Sequence, residues 1–384
     1  MRIVQLHWAF PPVVGGVETH LEELGAALVQ RGHQVYAFVG ASADDEQPRR
    51  RVHRGVEVTS HPAMQLGERH DPEEVYRHLS RYVDEKEPDL IHAHNMHYFS
   101  PAHAEALARL KAETGVPILL TAHNAWNDEL GTFFLRFAGL WDHIVAVSHY
   151  LKGVLVAQGY PEDRFTVIHH GIDPQRWAAE PPDDRVGPVI FHPARLSIDK
   201  GSLLVVQAFH KVREVLPEAR LILAGTGKIV DFESRQAREV QEVEAAIARY
   251  GLREAVALRA IPWSEIPSVF RQSRVVVYPS RFDEPFGIAA LEGMASSRPV
   301  VVSRVGGMPE FVRDGVDGFV IPQDDAEALA EACLRLLSRP RLVQEMGRNA
   351  RQRATVDFHL RRMVDQVEDV YVRVTKRSRA TVGV

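Results

Sequence analysis

Arg274-Val275-Val276-Val277-Tyr278 is a short apolar run, Pro279-Ser280-Arg281-Phe282-Asp283-Glu284-Pro285-Phe286 is a polar stretch punctuated by two prolines, and Gly287-Ile288-Ala289-Ala290-Leu291-Glu292-Gly293-Met294-Ala295 has helical composition. Strand, strand-end loop and helix in that order form a βα unit, the building block of a parallel sheet. In open sheets of this kind ligands bind beyond the carboxyl ends of the strands. The loop from 279 to 286 is therefore the first place to look for chemistry.

The same alternation runs outward in both directions. Towards the N-terminus it predicts strands at 189–192, 221–224 and 255–258, with helices at 201–216 and 230–250. Towards the C-terminus it predicts a strand at 299–303 and a helix-rich end from Asp324. A second set occupies the first half: strands at 2–7, 34–39, 90–93, 118–121, 143–147 and 165–168, with a helix at 17–31. Ala178-Ala179-Glu180-Pro181-Pro182-Asp183-Asp184 is poor in apolar residues and reads as a linker. The expectation is an α/β chain of two doubly wound domains.

Composition limits what such a chain does. It has 384 residues, 46 Lys+Arg against 51 Asp+Glu, and 45% hydrophobic residues, an ordinary globular profile. The single cysteine, Cys333, excludes an internal disulfide framework and suits a reducing compartment. The expected location is cytoplasmic, since no apolar run reaches the ~18 residues of a membrane span and no signal-peptide core is visible. Residues 1–180 carry 16 Lys+Arg against 24 Asp+Glu, so nucleic acid and anionic lipid are not the expected partners. The clusters Arg49-Arg50-Arg51 with Arg54, and Lys376-Arg377-Ser378-Arg379, read as solvated charge at a loop and at a terminus.

Three strand-end segments carry candidate chemistry. Gly15-Gly16 opens the first helix, where bare backbone N–H groups and the helix dipole favour an anion, although a tight turn is the slightly better reading of the loop alone and the dinucleotide pattern Gly-x-Gly-x-x-Gly is absent. Arg195 and Lys200 sit on one loop before a helix, placed to reach one diphosphate, the first in bidentate fashion and the second as a point charge. Ala224-Gly225-Thr226-Gly227 gives a base or ribose close access to backbone. In the opening stretch, Glu284 and Glu292 are carboxylates, each able to accept two hydroxyl hydrogen bonds from a vicinal diol. Glu292 lies among Ala290, Leu291, Met294 and Ala295, where a carboxylate wants a partner.

Histidine is unevenly spread, with 16 of 19 in residues 1–180. His92, His94, His97 and His103 raise the question of zinc, because alternate residues of a strand share a face. No carboxylate joins the run, so polar lining of a binding cleft and plain packing stand beside the metal reading, and no metal is expected.

Taken in order, Gly15-Gly16, Thr121-Ala122-His123, Val147-Ser148, Gly171-Ile172-Asp173, the Arg195/Lys200 pair, Glu284-x7-Glu292 and Pro299-Val300-Val301 leading to Gly306-Gly307 resemble the retaining nucleotide-sugar glycosyltransferases of family 4. The resemblance covers essentially the whole chain. It departs at His169-His170, where that family commonly has Pro-Asn. It implies the GT-B fold: a Rossmann-like acceptor domain at 1–180, a Rossmann-like nucleotide-sugar domain at 185–357 facing it across a cleft, and a C-terminal helix at 358–384 that crosses back to the first domain.

The resemblance also implies roles. Arg195 and Lys200 neutralise the donor diphosphate, Glu284 contacts the transferred sugar, and His123 lies near that sugar from the other domain; these four are the expected catalytic set. Gly15, Gly16, Gly225, Ile261, Phe286, Gly287 and Ile288 are expected around the donor, with Glu292 on the ribose hydroxyls. Trp8, His94, Asn95, His97 and Asn124 are candidates for the acceptor. Fixed cations and helix dipoles suffice to stabilise a departing phosphate, at roughly 3 kcal/mol for a well-aimed donor, so no cofactor or metal is required. The expected reaction is retaining transfer of a hexose or N-acetylhexosamine from a UDP-sugar to a small polar acceptor, such as a cyclitol, an aminocyclitol or another natural-product intermediate. The alternatives are a nucleotide-sugar epimerase or hydrolase of the same fold, and transfer to a lipid or polysaccharide.

Overall fold

The computed structural model describes residues 1–13, 15–41, 48–66, 70–183, 185–225 and 233–382. The chain divides into two compact units, Met1–Gly171 with Leu360–Val384, and Ile172–His359.

The first unit contains β1 (Arg2–His7), α1 (Gly16–Gln30), β2 (Gln34–Gly40), β3 (Arg49–His53), β4 (Val56–His61), α2 (Pro72–Lys86), β5 (Leu90–His94), α3 (Pro101–Thr114), β6 (Ile118–Ala122), α4 (Glu129–Phe134), β7 (His143–Ala146), α5 (His149–Gln158) and β8 (Phe165–Val167). Among the described residues they form one sheet in the order β3-β4-β2-β1-β5-β6-β7-β8. All pairs are parallel except β3 with β4. Strands β5 and β6 are buried at every residue, as expected of strands covered on both faces.

The second unit contains β9 (Val189–His192), α6 (Ser202–Val215), β10 (Arg220–Gly225), α7 (Glu233–Arg249), β11 (Val256–Ala260), α8 (Ile266–Gln272), β12 (Val275–Tyr278), α9 (Ile288–Ala295), β13 (Val300–Ser303), α10 (Met308–Phe311), β14 (Gly318–Ile321), α11 (Ala326–Leu337) and α12 (Pro340–Val356). Its sheet runs β11-β10-β9-β12-β13-β14, parallel throughout. That is the doubly wound order, with the direction of winding reversing between β9 and β12. The loops after these two strands, at the carboxyl ends of the sheet, are where such sheets take ligands.

The last helix, α13 (Leu360–Val382), returns to the first unit. Met363, Val364, Val367, Val370, Tyr371 and Val374 make a helical stripe that packs with Leu21, Leu24 and Leu28 of α1 in one core. Tyr371 Oη meets His92 Nδ1 at 2.7 Å, and His33 Nε2 meets Glu368 at 2.7 Å.

Three expectations need revision. Arg49-Arg50-Arg51 is an exposed edge strand rather than a loop, and Arg50 pairs with Glu85 at 2.5 Å; edge strands commonly carry charge because it deters pairing with other chains. Strands β4 and β14 add to those predicted. The stretch from Ala178 to Asp183 is fastened within the second unit, with Ser297 Oγ donating to the Ala179 carbonyl at 2.5 Å and Arg298 to that of Glu180 at 2.7 Å. It is not a free tether. Asp184, Val230 and the Thr226-Gly227 end of the glycine stretch lie outside the described residues.

Candidate functional site

The loops after β9 and β12 are bound to each other. The Asp199 carbonyl accepts from Arg281 N at 2.8 Å, Phe282 N at 3.2 Å and Ser280 Oγ at 3.1 Å. Gly201, at φ 78°, starts α6 where an added Cβ would lie 2.0 Å from the Pro279 carbonyl oxygen. The chain approaches itself here more closely than any other residue permits.

This junction brings Lys200 and Glu284 together at the switch point, with Nζ 2.5 Å from Oε2 and side chains only 17% and 12% exposed. Burial works against the Lys200 charge, yet the neighbouring Glu284 carboxylate outweighs it and raises the ammonium pKa. Tyr278 Oη lies 3.4 Å from the same carboxylate oxygen, and burial pushes its phenol up to about 12. Arg195 is exposed on the same loop, near enough to oppose the Lys200 charge.

Backbone fixes Glu284 from behind. Its carbonyl accepts from Gly307 N at 2.9 Å, and Gly306, at φ 51°, leaves room where a Cβ would lie 2.0 Å from that oxygen. Gly287, at φ 98°, and Ile288 begin α9, while Phe286 is buried against Phe311, with ring centroids 4.9 Å apart. Neither α6 nor α9 has a side-chain cap at its N-terminus. Two helix starts without a side-chain cap thus flank an ammonium and a carboxylate, an arrangement suited to an anion joined to a polyol.

Glu292 lies on α9, 4% exposed, and burial raises its carboxyl to about 8 while Arg176 pulls the other way. Arg176 itself lies over Trp263, 4.6 Å from the ring centroid. Ile261 is half-buried just after β11, and Gly225 ends β10.

The other candidates belong to the first unit. Its switch point falls between β1 and β5, and Trp8, His94, Asn95 and His97 stand at or just after those strand ends. Asn95, at φ 54°, accepts from His123 N through Oδ1 at 2.7 Å, and His94 Nδ1 meets His123 Nε2 at 3.2 Å. The Asn124 carbonyl contacts His97 Nε2 at 3.0 Å. Gly15 and Gly16 start α1, where the position of a Cβ on Gly15 is filled by the Glu18 carboxylate at 2.2 Å; Glu18 also reaches His7 Nε2 at 3.3 Å. This helix start already faces an anion of its own.

The histidines form a cluster rather than a surface feature. His20, His94 and His123 each place a ring nitrogen within 4.8 Å of the others, and His170 Nδ1 lies 3.1 Å from His20 Nδ1. Burial lowers His20 to about 3 and holds His94, His123 and His170 well below the usual range, so all four rings are uncharged at neutral pH. Neutral imidazoles are competent metal ligands, and His20, His94 and His123 are one group that lies close enough to hold an ion.

Two family models match consecutive stretches, Glycosyltransferase Family 4 over residues 14–176 and Glycosyl transferases group 1 over residues 175–353. This chain belongs to the family 4 glycosyltransferases. Relatives of this glycosyltransferase include the glycogen synthase of Mycobacterium tuberculosis, 28% identical over 99% of this chain and 96% of that protein. The D-inositol 3-phosphate glycosyltransferase of Saccharomonospora viridis is 27% identical over 96% and 91%. A GDP-mannose-dependent phosphatidylinositol monomannoside mannosyltransferase of Mycolicibacterium smegmatis is 28% identical over 88% and 90%. Among solved structures, a sucrose-phosphate synthase from Thermosynechococcus elongatus superposes with a TM-score of 0.82 at 21% identity, covering 98% and 99% of the two chains. Anabaena HepE, crystallised with UDP and glucose, gives 0.79 at 21%, covering 97% and 100%. The glycosyltransferase therefore has the GT-B fold.

Sequence reading missed several neighbours of these residues. Tyr278 and Arg176 are separated from their partners by chain or by element, and His20 sits on α1 with no local link to the strand-end histidines. Tyr98 and Trp126, stacked at 4.1 Å and 10°, lie on loops after different strands. The one available signal was aromatic density just beyond β5 and β6.

Proposed function

We propose that this glycosyltransferase moves a hexose or N-acetylhexosamine from a UDP-sugar to a hydroxyl of a small polar acceptor, with retention of configuration and without a metal. The Lys200–Glu284 contact at the β9/β12 switch point, between two uncapped helix starts, carries the reading. Lys200, Arg195 and the positive ends of the α6 and α9 dipoles meet the diphosphate, and Glu284 accepts from hydroxyls of the transferred sugar. Gly287, Ile288 and the backbone of Phe286 lie beside it. Glu292 holds the ribose diol, with Ile261 and Gly225 towards the base.

Cleaving the sugar–phosphate bond moves negative charge onto the leaving phosphate. The ammonium and helix dipoles are fixed before the reaction and strengthen their hold as that charge grows, which is what lowers a barrier. In front-face attack the departing phosphate takes the acceptor's proton, so no side chain has to serve as base. Within the first unit, Trp8, His94, Asn95, His97 and Asn124 serve the acceptor.

The acidic first half, together with a relative named for an inositol phosphate acceptor, supports a cyclitol or aminocyclitol. A relative named for GDP-mannose keeps the guanine donor as the competitor to exclude. Thermal-shift screening against UDP-, GDP- and ADP-sugars decides between them, because a ligand that binds only the folded state raises the melting temperature. UDP-glucose or UDP-N-acetylglucosamine is expected to give the largest shift; a larger shift with GDP-mannose overturns the choice of donor.

A further inference from the structure

Beyond β5 the chain makes a tight turn in which Ser100 N donates to the Tyr98 carbonyl at 3.2 Å around Phe99, whose φ is 77°. A γ-turn of this hand is rare and strained, and a bulky residue there is an outlier that costs about 1–3 kcal/mol. The strain holds out an apolar ring, since Phe99 is 36% exposed. Phe99 stands edge-on to Trp126 at 5.0 Å, to Tyr98 at 4.9 Å and to Trp8 at 6.2 Å. Trp126 is half-buried and backed by Tyr98, whose hydroxyl bonds to Asp128. The result is a partly open aromatic surface at the carboxyl end of the first sheet.

Two polar atoms in the same shell lack partners among the described residues. Trp8 is 7% exposed and its Nε1 has no acceptor among the described residues. His97 is 4% exposed, and burial lowers its pKa to about 4, so the ring carries one N–H at neutral pH. Because His97 Nε2 faces the Asn124 carbonyl it must bear that hydrogen, which leaves Nδ1 as a bare acceptor with no donor. One orphan donor and one orphan acceptor match a hydroxyl group, which is both. Apolar ring faces with a few placed polar atoms are what a small-molecule site presents.

We propose that Phe99 and Trp126 are the platform on which this transferase seats a cyclic polyol acceptor, its C–H face against the rings and its hydroxyls answering Trp8 Nε1 and His97 Nδ1. Both orphan atoms are covered in the free protein, and the strained turn at Phe99 is the place that yields to uncover them. The acceptor class is thus a six-membered polyol, a pyranoside or a cyclitol, whose axial C–H groups stack; an acyclic polyol or an acyl chain offers no such face. The inference rests on the transferase reading and deepens its acceptor half.

Saturation-transfer NMR on the full chain tests it, with methyl α-D-glucopyranoside and myo-inositol as cyclic probes and sorbitol as the acyclic control. At least one cyclic probe is expected to receive saturation on its ring C–H protons, at least fivefold above sorbitol. Trp126→Ala is expected to remove most of the transfer and Trp126→Phe to restore part of it. Phe99→Gly separates binding from folding, because glycine relieves the strained φ: its melting temperature is expected to match or exceed wild type while transfer falls. Transfer that survives both Phe99→Gly and Trp126→Ala, an equal sorbitol signal, or no transfer to either cyclic probe overturns the platform. UDP titration by calorimetry on the same samples keeps the two readings apart. UDP binding without probe binding sinks the platform alone, whereas absence of binding by UDP and, in a parallel titration, by GDP sinks the donor-site reading whatever the probes do.

Discussion

Glu292 shows what one residue discloses when burial and charge are read together. A carboxyl raised to about 8 is protonated at neutral pH in the free protein, whereas its unfolded counterpart near 4.5 is not. Between those values the folded state alone holds the proton, so stability falls as pH rises through the window from about 4.5 to 8. Glu292→Gln removes the titration. Melting curves are expected to show the variant gaining on wild type as pH rises, by on the order of 2–4 kcal/mol at pH 8 and little at pH 5. Equal pH profiles would place the carboxyl in solvent. Sequence exposed this site in part: an acid among Ala290, Leu291 and Met294 is conspicuous, but Arg176, more than 100 positions earlier, is not.

At the scale of elements, β1 and β9 occupy the residues that periodicity predicted, and β5, β6, β12 and β13 fall within one residue of it at each end, because strands covered on both faces read as continuous apolar runs. The β3–β4 hairpin escaped because Arg49, Arg50 and Arg51 are what an edge strand needs and what a loop resembles. The joining of loops was equally hidden: nothing local announces that the Asp199 carbonyl will accept from Arg281 and Phe282. Gly306, like Gly201, combines positive φ with a 2.0 Å approach of a would-be Cβ to a carbonyl oxygen, here that of Glu284. Gly306→Ala is expected to cost about 2–3 kcal/mol in denaturant unfolding and to weaken UDP-sugar binding, because the atoms that must move belong to the backbone of Glu284. A variant as stable as wild type would mean that the loop has room to spare.

For the whole molecule, the uneven histidine count becomes a property of one folding unit. His20, His92, His94, His97, His103, His123 and His170 are all buried in the first unit with lowered pKa values, burial being the first cause in each. Below about pH 6.5 the unfolded chain takes up protons that these rings refuse, so stability is fully present above that value and is lost as pH falls. Each proton contributes about 1.4 kcal/mol per pH unit, and the first unit is expected to melt before the second between pH 6 and 4. Differential scanning calorimetry across that range checks it; a second unit that melts first, or a melting temperature unchanged from pH 7 to 5, contradicts the buried cluster. α13 belongs to the same unit through Tyr371 and His92, so the C-terminus should unfold with the N-terminal sheet.

The central claim is that the β9/β12 switch point holds a nucleoside diphosphate sugar and hands its sugar to an acceptor hydroxyl. The most direct measurement is UDP release from UDP-glucose or UDP-N-acetylglucosamine, with EDTA present, with and without myo-inositol or an aminocyclitol. The account predicts release that depends on acceptor, is unaffected by EDTA, and drops at least a hundredfold in Lys200→Ala and Glu284→Ala chains that remain folded. Release at full rate without acceptor, loss of release on adding EDTA, or near-normal turnover in either variant would contradict it.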